Sequence, residues 1–170
     1  RGLGDVYKRQ PYGQSKRKCE EILENFHKTG HNFKNITLRY FNPIGAHPTS
    51  LIGELPIGIP ENLVPYITQT AVGKRDNLTV FGDDYETNDG TCVRDYIHIM
   101  DLAEVHITCL EKLINIKNDS FFKVYNVGTG KGTSVLELIN LFEKVNQLKL
   151  NYKIGKRRDG DVVTAYADTS

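Results

Sequence analysis

The stretch PYGQSKRKCEEILENFHKTGHNFKNITLRYFNP (residues 11–43) decides the fold class, because its hydrophobic period changes once. Cys19, Ile22, Leu23 and Phe26 recur at i, i+3, i+4 and i+7, which predicts a helix with one buried stripe. Pro11 suits its first turn, and Gly30 suits its stop. Residues 36–41 then read as a short β-branched and aromatic strand, closed by Asn42-Pro43. A strand reached from a helix through a short link is half of a βαβ unit, so the chain is expected to be α/β with a parallel sheet.

Working outward, residues 43–60 are rich in proline and glycine and read as a long ordered loop, a length that usually serves function. A helix is expected over 62–73 with Leu63, Ile67 and Ala71 on one face, then a strand over 78–81 and a loop, GDDYETNDG. Residues 93–98 read as one strand. Asp101 reads as the N-cap of a helix carrying Leu102, His106, Cys109, Leu110 and Leu113. A strand over 124–127, a glycine-rich turn, a helix with Val135, Leu138, Ile139, Phe142 and Val145 inside, and a strand over 150–154 complete the pattern. Upstream, DVYKRQ (residues 5–10) matches the in-frame translation of a common sequencing-library transposon adapter, so residues 1–10 are expected to be foreign to the domain.

The 170 residues suffice for one domain with a sizeable core. A net charge of +1 spread along the chain argues against nucleic acid or an anionic membrane surface as a partner. Three widely spaced cysteines without a Cys-x-x-Cys fit a reducing compartment, and the histidines show no metal spacing, so a cytoplasmic protein without a structural metal is expected.

Three motifs carry possible chemistry. Tyr12 and Lys16 stand at i and i+4, one turn apart on a helix face. An ammonium beside a phenol favours the phenolate, which can take a proton from a substrate hydroxyl. With nine tyrosines the spacing also arises by chance, as at Tyr152 and Lys156, and taken alone it reads as surface helix. NVGTGKGTS (residues 126–134) invites a phosphate cradle. Its Gly-x-Gly-x-Gly spacing fits neither the dinucleotide fingerprint nor a Walker loop, however, and Thr133 or Ser134 would cap the next helix without any ligand. Arg94 beside Asp95, and Arg157, Arg158 and Asp161 in KRRDGD, suit either internal ion pairs or a diphosphate held by guanidinium forks with an acid on a sugar hydroxyl. The residue types leave both open.

Several strings occur together and in order: PYGQSK, LRYFNPIGAHPTSLIGE, IPENLVPYITQTAVGKRDNLTVFGDDYETNDGTCVRDYIHIMDLAEVH, YNVGTGKGTSVLEL and KRRDGDVVTAYAD. Jointly they resemble the UDP-glucose 4-epimerase family of extended short-chain dehydrogenases/reductases over essentially all of residues 11–170. The resemblance implies a doubly wound, Rossmann-like NAD domain followed by a smaller α/β nucleotide-sugar domain. Residues 11–43 would end the first, and 44–170 would form mainly the second, with segments crossing back. The glycine fingerprint of the first domain is not in this sequence, so the chain is expected to be roughly the second half of a longer enzyme, inactive by itself. A related nucleotide-sugar dehydratase or decarboxylase shares Tyr-x-x-x-Lys, but the loop FNPIGAHPTSLIGE speaks against it. A non-catalytic nucleotide-sugar binding module is the remaining alternative.

The resemblance also implies roles. Tyr12 would be the catalytic base and Lys16 the lysine that tunes it and binds the cofactor ribose. Tyr40 and Phe41 would lie on the nicotinamide side, and Asn42 would contact sugar or diphosphate. Asn62 and Leu63 would neighbour the diphosphate and uridine, with Thr79, Val80 and Phe81 beside the uracil. Arg94 and Arg158 would hold the diphosphate and Asp161 the uridine ribose. Ala165 stands at the family's gate, where a small residue leaves room for an N-acetyl group. The implied cofactor is NAD, the implied substrate a UDP-sugar of galactose metabolism, and the implied assembly a homodimer.

Overall fold

The change of period at Gly30 separates helix α1 (Pro11–Lys28) from strand β1 (Lys34–Tyr40) in the computed structural model, which describes residues 11–169. In chain order follow β2 (Asn42–Ile44), α2 (Leu63–Ala71), β3 (Leu78–Phe81), β4 (Val93–Arg94), β5 (Tyr96–His98) and α3 (Ile99–Asn115). Then come β6 (Phe121–Val127), β7 (Thr133–Ser134), α4 (Val135–Asn146), β8 (Tyr152–Gly155) and β9 (Thr164–Ala165). The expected parallel pairing is present. β1 runs parallel to β6, with Lys34 opposite Phe121 and Tyr40 opposite Val127. β2 runs parallel to β5 and β3 to β8, while β4 pairs parallel with β9 and antiparallel with β7. The chain is therefore α/β with parallel sheets, built as four small sheets among the described residues. The segment over residues 1–10, read above as adapter-derived, lies outside them.

Two apolar cores form. The larger gathers Ile67, Leu78, Val80, Ile139 and Leu150, with Leu63, Ala71, Val135, Leu138 and Phe142 packed against it. It is made by the inward faces of α2 and α4 closing over β3, as the helical spacing predicts. The smaller gathers Ile97, Leu102 and Val127 with Leu38 and Val105, under α3. α4 opens with a capping box: the Ser134 hydroxyl accepts from the Glu137 N–H, and the Glu137 side chain accepts from the Ser134 N–H. It closes on Gln147 in the left-handed region.

Several expectations are corrected. On α1 the stripe is not buried: Cys19, Ile22 and Phe26 are exposed and Leu23 is half-buried. The helix meets β1 and β6 through polar and aromatic contacts instead. Glu20 pairs with Arg39, His27 stacks on Phe122, and the Ser120 hydroxyl meets His27 Nδ1. The run 93–98 is two strands in two sheets, parted at Asp95. The N-cap of α3 is His98, whose Nδ1 accepts from the Met100 N–H, and Asp101 lies in the first turn. Leu110 and Val145 face outward, and Glu143 takes an inner position on α4, accepting from Lys149 Nζ and the Leu150 N–H. Asn42 and Pro43 open β2 rather than simply ending β1.

Candidate active site

The glycine-rich turn is where the sequence most invites an anion, and an anion is there: the carboxylate of Asp95. Asp95 is fully buried. Its Oδ1 accepts from the Thr129 N–H at 2.9 Å and the Thr129 hydroxyl at 2.7 Å. Its Oδ2 accepts from the N–H groups of Gly130 and Ala167, each at 3.0 Å. A Cβ at Gly128 would collide with Oδ2 and with Ala167 Cβ, so this position requires glycine. Burial by itself would raise the Asp95 carboxyl, but the hydrogen bonds from Thr129, Ala167 and Gly130 outweigh it and hold the group below the ordinary carboxylate range. The turn thus serves as an internal anion nest rather than a phosphate cradle.

Immediately before this hub, Arg94 points away from the nest. Its Nη1 donates to the carbonyls of Val93 and Val162, at 2.9 and 2.6 Å, and its Nη2 lies 3.7 Å from Asp161 Oδ1. Arg158 grips the same carboxylate as a fork, Nε to Oδ2 at 2.9 Å and Nη2 to Oδ1 at 3.2 Å. Its guanidinium lies 4.8 Å from the centre of the Phe81 ring. Ala165 stands opposite Arg94 in the β4–β9 register and is half-buried. Five of the expected site residues, Phe81, Arg94, Arg158, Asp161 and Ala165, are therefore joined by contacts or register. The neighbouring Arg157 is occupied elsewhere, with Nε 2.6 Å from Asp84 Oδ1 and its guanidinium 4.1 Å from the Tyr85 ring centre.

Three further groups stand apart in the contact pattern. Tyr12 and Lys16 share the amino-terminal end of α1, with Tyr12 67% exposed and the Lys16 ammonium 5.1 Å above its ring centre. Tyr40, Phe41 and Asn42 occupy the step from β1 to β2, at the carboxyl end of a parallel strand, where ligands bind in open α/β sheets. There the Phe41 N–H donates to Val127 O and the Asn42 N–H to Asp95 O. Asn62 and Leu63 begin α2; Asn62 Nδ2 donates to Glu54 Oε1 at 2.7 Å, and Leu63 packs on the larger core. Val80 is turned into that core, 1% exposed, so its side chain is not presented to a ligand, whereas Thr79 and Phe81 alternate to the other face of β3. Asp95 as a hydrogen-bonding hub is what spacing alone misses; Gly128 and Thr129 carry no signal for it beyond their composition.

The chain matches the model of the NAD dependent epimerase/dehydratase family over residues 2–128. It is similar to UDP-glucose 4-epimerase 2 of Arabidopsis thaliana, 54% identical over 159 residues that cover 94% of this chain and 45% of that protein. The crystal structure of UDP-glucose 4-epimerase from Stenotrophomonas maltophila, with bound NAD and formylated UDP-arabinopyranose, superposes with a TM-score of 0.88 at 48% identity, covering 94% of this chain and 46% of that one. The Bifidobacterium longum enzyme in complex with NAD+ and UDP gives a TM-score of 0.86 at 48% identity, covering 94% and 47%. The chain spans about half the length of the relatives it matches. With its parallel strand pairs and an arginine pair converging on Asp161, the chain belongs to the NAD dependent epimerase/dehydratase family.

Proposed function

We propose that the full-length protein is a cytoplasmic UDP-glucose 4-epimerase, and that this chain carries its proton-transfer pair and most of its nucleotide-sugar surface. The observation that carries the reading is the convergence of Arg94 and Arg158 on Asp161 beside Phe81 and Ala165. Two guanidinium forks suit a diphosphate, and an ionised carboxylate has acceptor capacity left for a ribose hydroxyl while still holding Arg158. Phe81 offers an apolar ring edge to a base, and Ala165 leaves the sugar end open. In this reading residues 11–43 end the dinucleotide-binding domain and 44–170 form mainly the sugar-nucleotide domain, with β6 crossing back to pair with β1.

The residues present fit NAD. The phenol of Tyr12 is open to solvent with an ammonium over its ring, and Tyr40 is half exposed at a carboxyl strand end. Lys16 and Tyr12 would hold the nicotinamide ribose, with Tyr40 and Phe41 beside the ring. When bound, NAD supplies a hydride acceptor and donor for the sugar's C4. Tyr12 Oη takes the proton of the sugar 4-hydroxyl and later returns it, with the Lys16 ammonium beside the ring throughout. Arg94, Arg158 and Asp161 keep the nucleotide fixed while the sugar presents first one face and then the other. The outward stripe of Cys19, Ile22 and Phe26 on α1 supports a homodimer formed through that helix.

The test is conversion of UDP-galactose to UDP-glucose by the full-length protein and its Tyr12→Phe variant. The phenyl ring should lower kcat by on the order of a hundredfold with UDP affinity kept. Unchanged kcat would remove Tyr12 from the chemistry, and no conversion by the unaltered protein would end the epimerase reading.

A further inference from the structure

Asp95 is tied to more than the glycine turn. Its backbone N–H donates to Ala165 O at 3.0 Å, and its carbonyl accepts from the Asn42 N–H at 3.0 Å. Its carboxylate takes the N–H groups of Thr129, Gly130 and Ala167. One buried residue therefore fixes three segments that each carry an expected substrate contact: Asn42 on β2, Arg94 immediately before it, and Ala165 on β9. It does so at the point where the polypeptide leaves one sheet and enters another.

We infer that Asp95 is a positioning residue for the nucleotide-sugar surface: its carboxylate clamps Ala167 to the glycine turn and so steadies the strand end at Ala165 that pairs with β4 at Arg94, while its backbone holds Asn42. The inference rests on the epimerase reading. A carboxylate suits this nest because it only accepts, and four donors converge on it. An asparagine of the same shape would turn an NH2 group toward at least one of those N–H groups, leaving buried donors unpaired. The segment over residues 165–167 would then lose its side-chain clamp at Ala167, loosening the strand that pairs with β4 at Arg94. Gly128 has no space for a Cβ beside this carboxylate, which marks the nest as built around it.

The experiment uses the full-length protein, with UDP as the probe in calorimetry and UDP-galactose in steady-state kinetics. Asp95→Asn should weaken UDP binding and raise KM by about tenfold while kcat stays within about threefold. In a double-mutant cycle, Arg94→Lys should cost less in the Asp95→Asn background than in the native one, because both act on the same placement. A residue serving stability alone would lower the folded fraction but leave the UDP affinity of the folded molecules, and the additivity with Arg94→Lys, untouched; that result overturns the inference. If Asp95→Asn does not fold, Thr129→Val removes one hydroxyl donor and keeps the shape. It should weaken UDP binding by about threefold, and unchanged affinity there also overturns the inference. Native protein that binds no UDP at all overturns the epimerase reading itself, an outcome distinct from native binding with an indifferent Asp95.

Discussion

Ala165 is a methyl group standing across from a guanidinium. In the β4–β9 register it stands opposite Arg94, and it is half-buried, so its small side chain leaves volume that a larger one would occupy. Ala165→Tyr would fill that volume with a phenol ring. In the full-length protein it is expected to lower the turnover of UDP-N-acetylglucosamine relative to UDP-glucose by more than about tenfold, a difference typical of an added steric block. Equal loss of both activities would show that position 165 does not gate the sugar. Asp95, held at the centre of the glycine nest, makes a prediction in pH. Its folded-state carboxyl is held below its unfolded value, so its contribution to stability is present above about pH 4 and is lost as pH falls through the folded value. Denaturant midpoints of the native protein should therefore fall more steeply below about pH 4 than those of Asp95→Asn; parallel curves would contradict it. The donors of Asp95 lie 34, 35 and 72 residues away along the chain, which is why no local pattern announces them. Residue types alone show Arg94, Arg158 and Asp161 only as charges, since solvated and ligand-directed ion pairs have the same composition; the resemblance is what grouped them, and the structure brings the three together.

At the scale of elements, periodicity found α1 and misplaced its inner face. Apolar spacing selects Cys19, Ile22, Leu23 and Phe26, of which only Leu23 is half-buried, and the polar and ring contacts to the sheet are those of Glu20 and His27. Ion pairs and ring stacking carry no hydrophobic signal, so a helix that docks through them shows its apolar stripe to the outside. That stripe makes a prediction of its own. Ile22→Asp combined with Phe26→Ser should shift the full-length protein toward half its native mass in sedimentation velocity, because charge at an apolar contact leaves it desolvated and unpaired. An unchanged mass would overturn a homodimer formed through this stripe. The run 93–98 shows the complementary limit. Val93, Tyr96 and Ile97 have strand character throughout, and nothing in them reveals that Asp95 divides the run between two sheets. By contrast α2 and α4, whose inner faces meet apolar neighbours, were read correctly at Ile67 and Ile139.

Taken whole, the described residues have one substantial core and one thin one, and many large apolar side chains outside both. Leu51, Ile52, Leu55, Ile57 and Ile59 in the loop before α2 are strongly exposed, as are Ile107 and Ile114 on α3. The 170-residue chain expressed alone should therefore bind a hydrophobic dye and self-associate, with negligible epimerase activity. A monodisperse, dye-silent chain would contradict this. The parallel sheet was legible from one helix and one strand because a short link permits few arrangements. The division of that sheet into small units was not, because it depends on contacts between distant segments. The glycine turn has a practical consequence for ligand discovery. A fragment screen guided by its motif would send phosphate mimics to residues 128–132, where the protein's own carboxylate already takes the N–H groups of Thr129 and Gly130. On the proposed epimerase reading, inhibitor chemistry is better aimed at Arg94, Arg158 and the small side chain of Ala165.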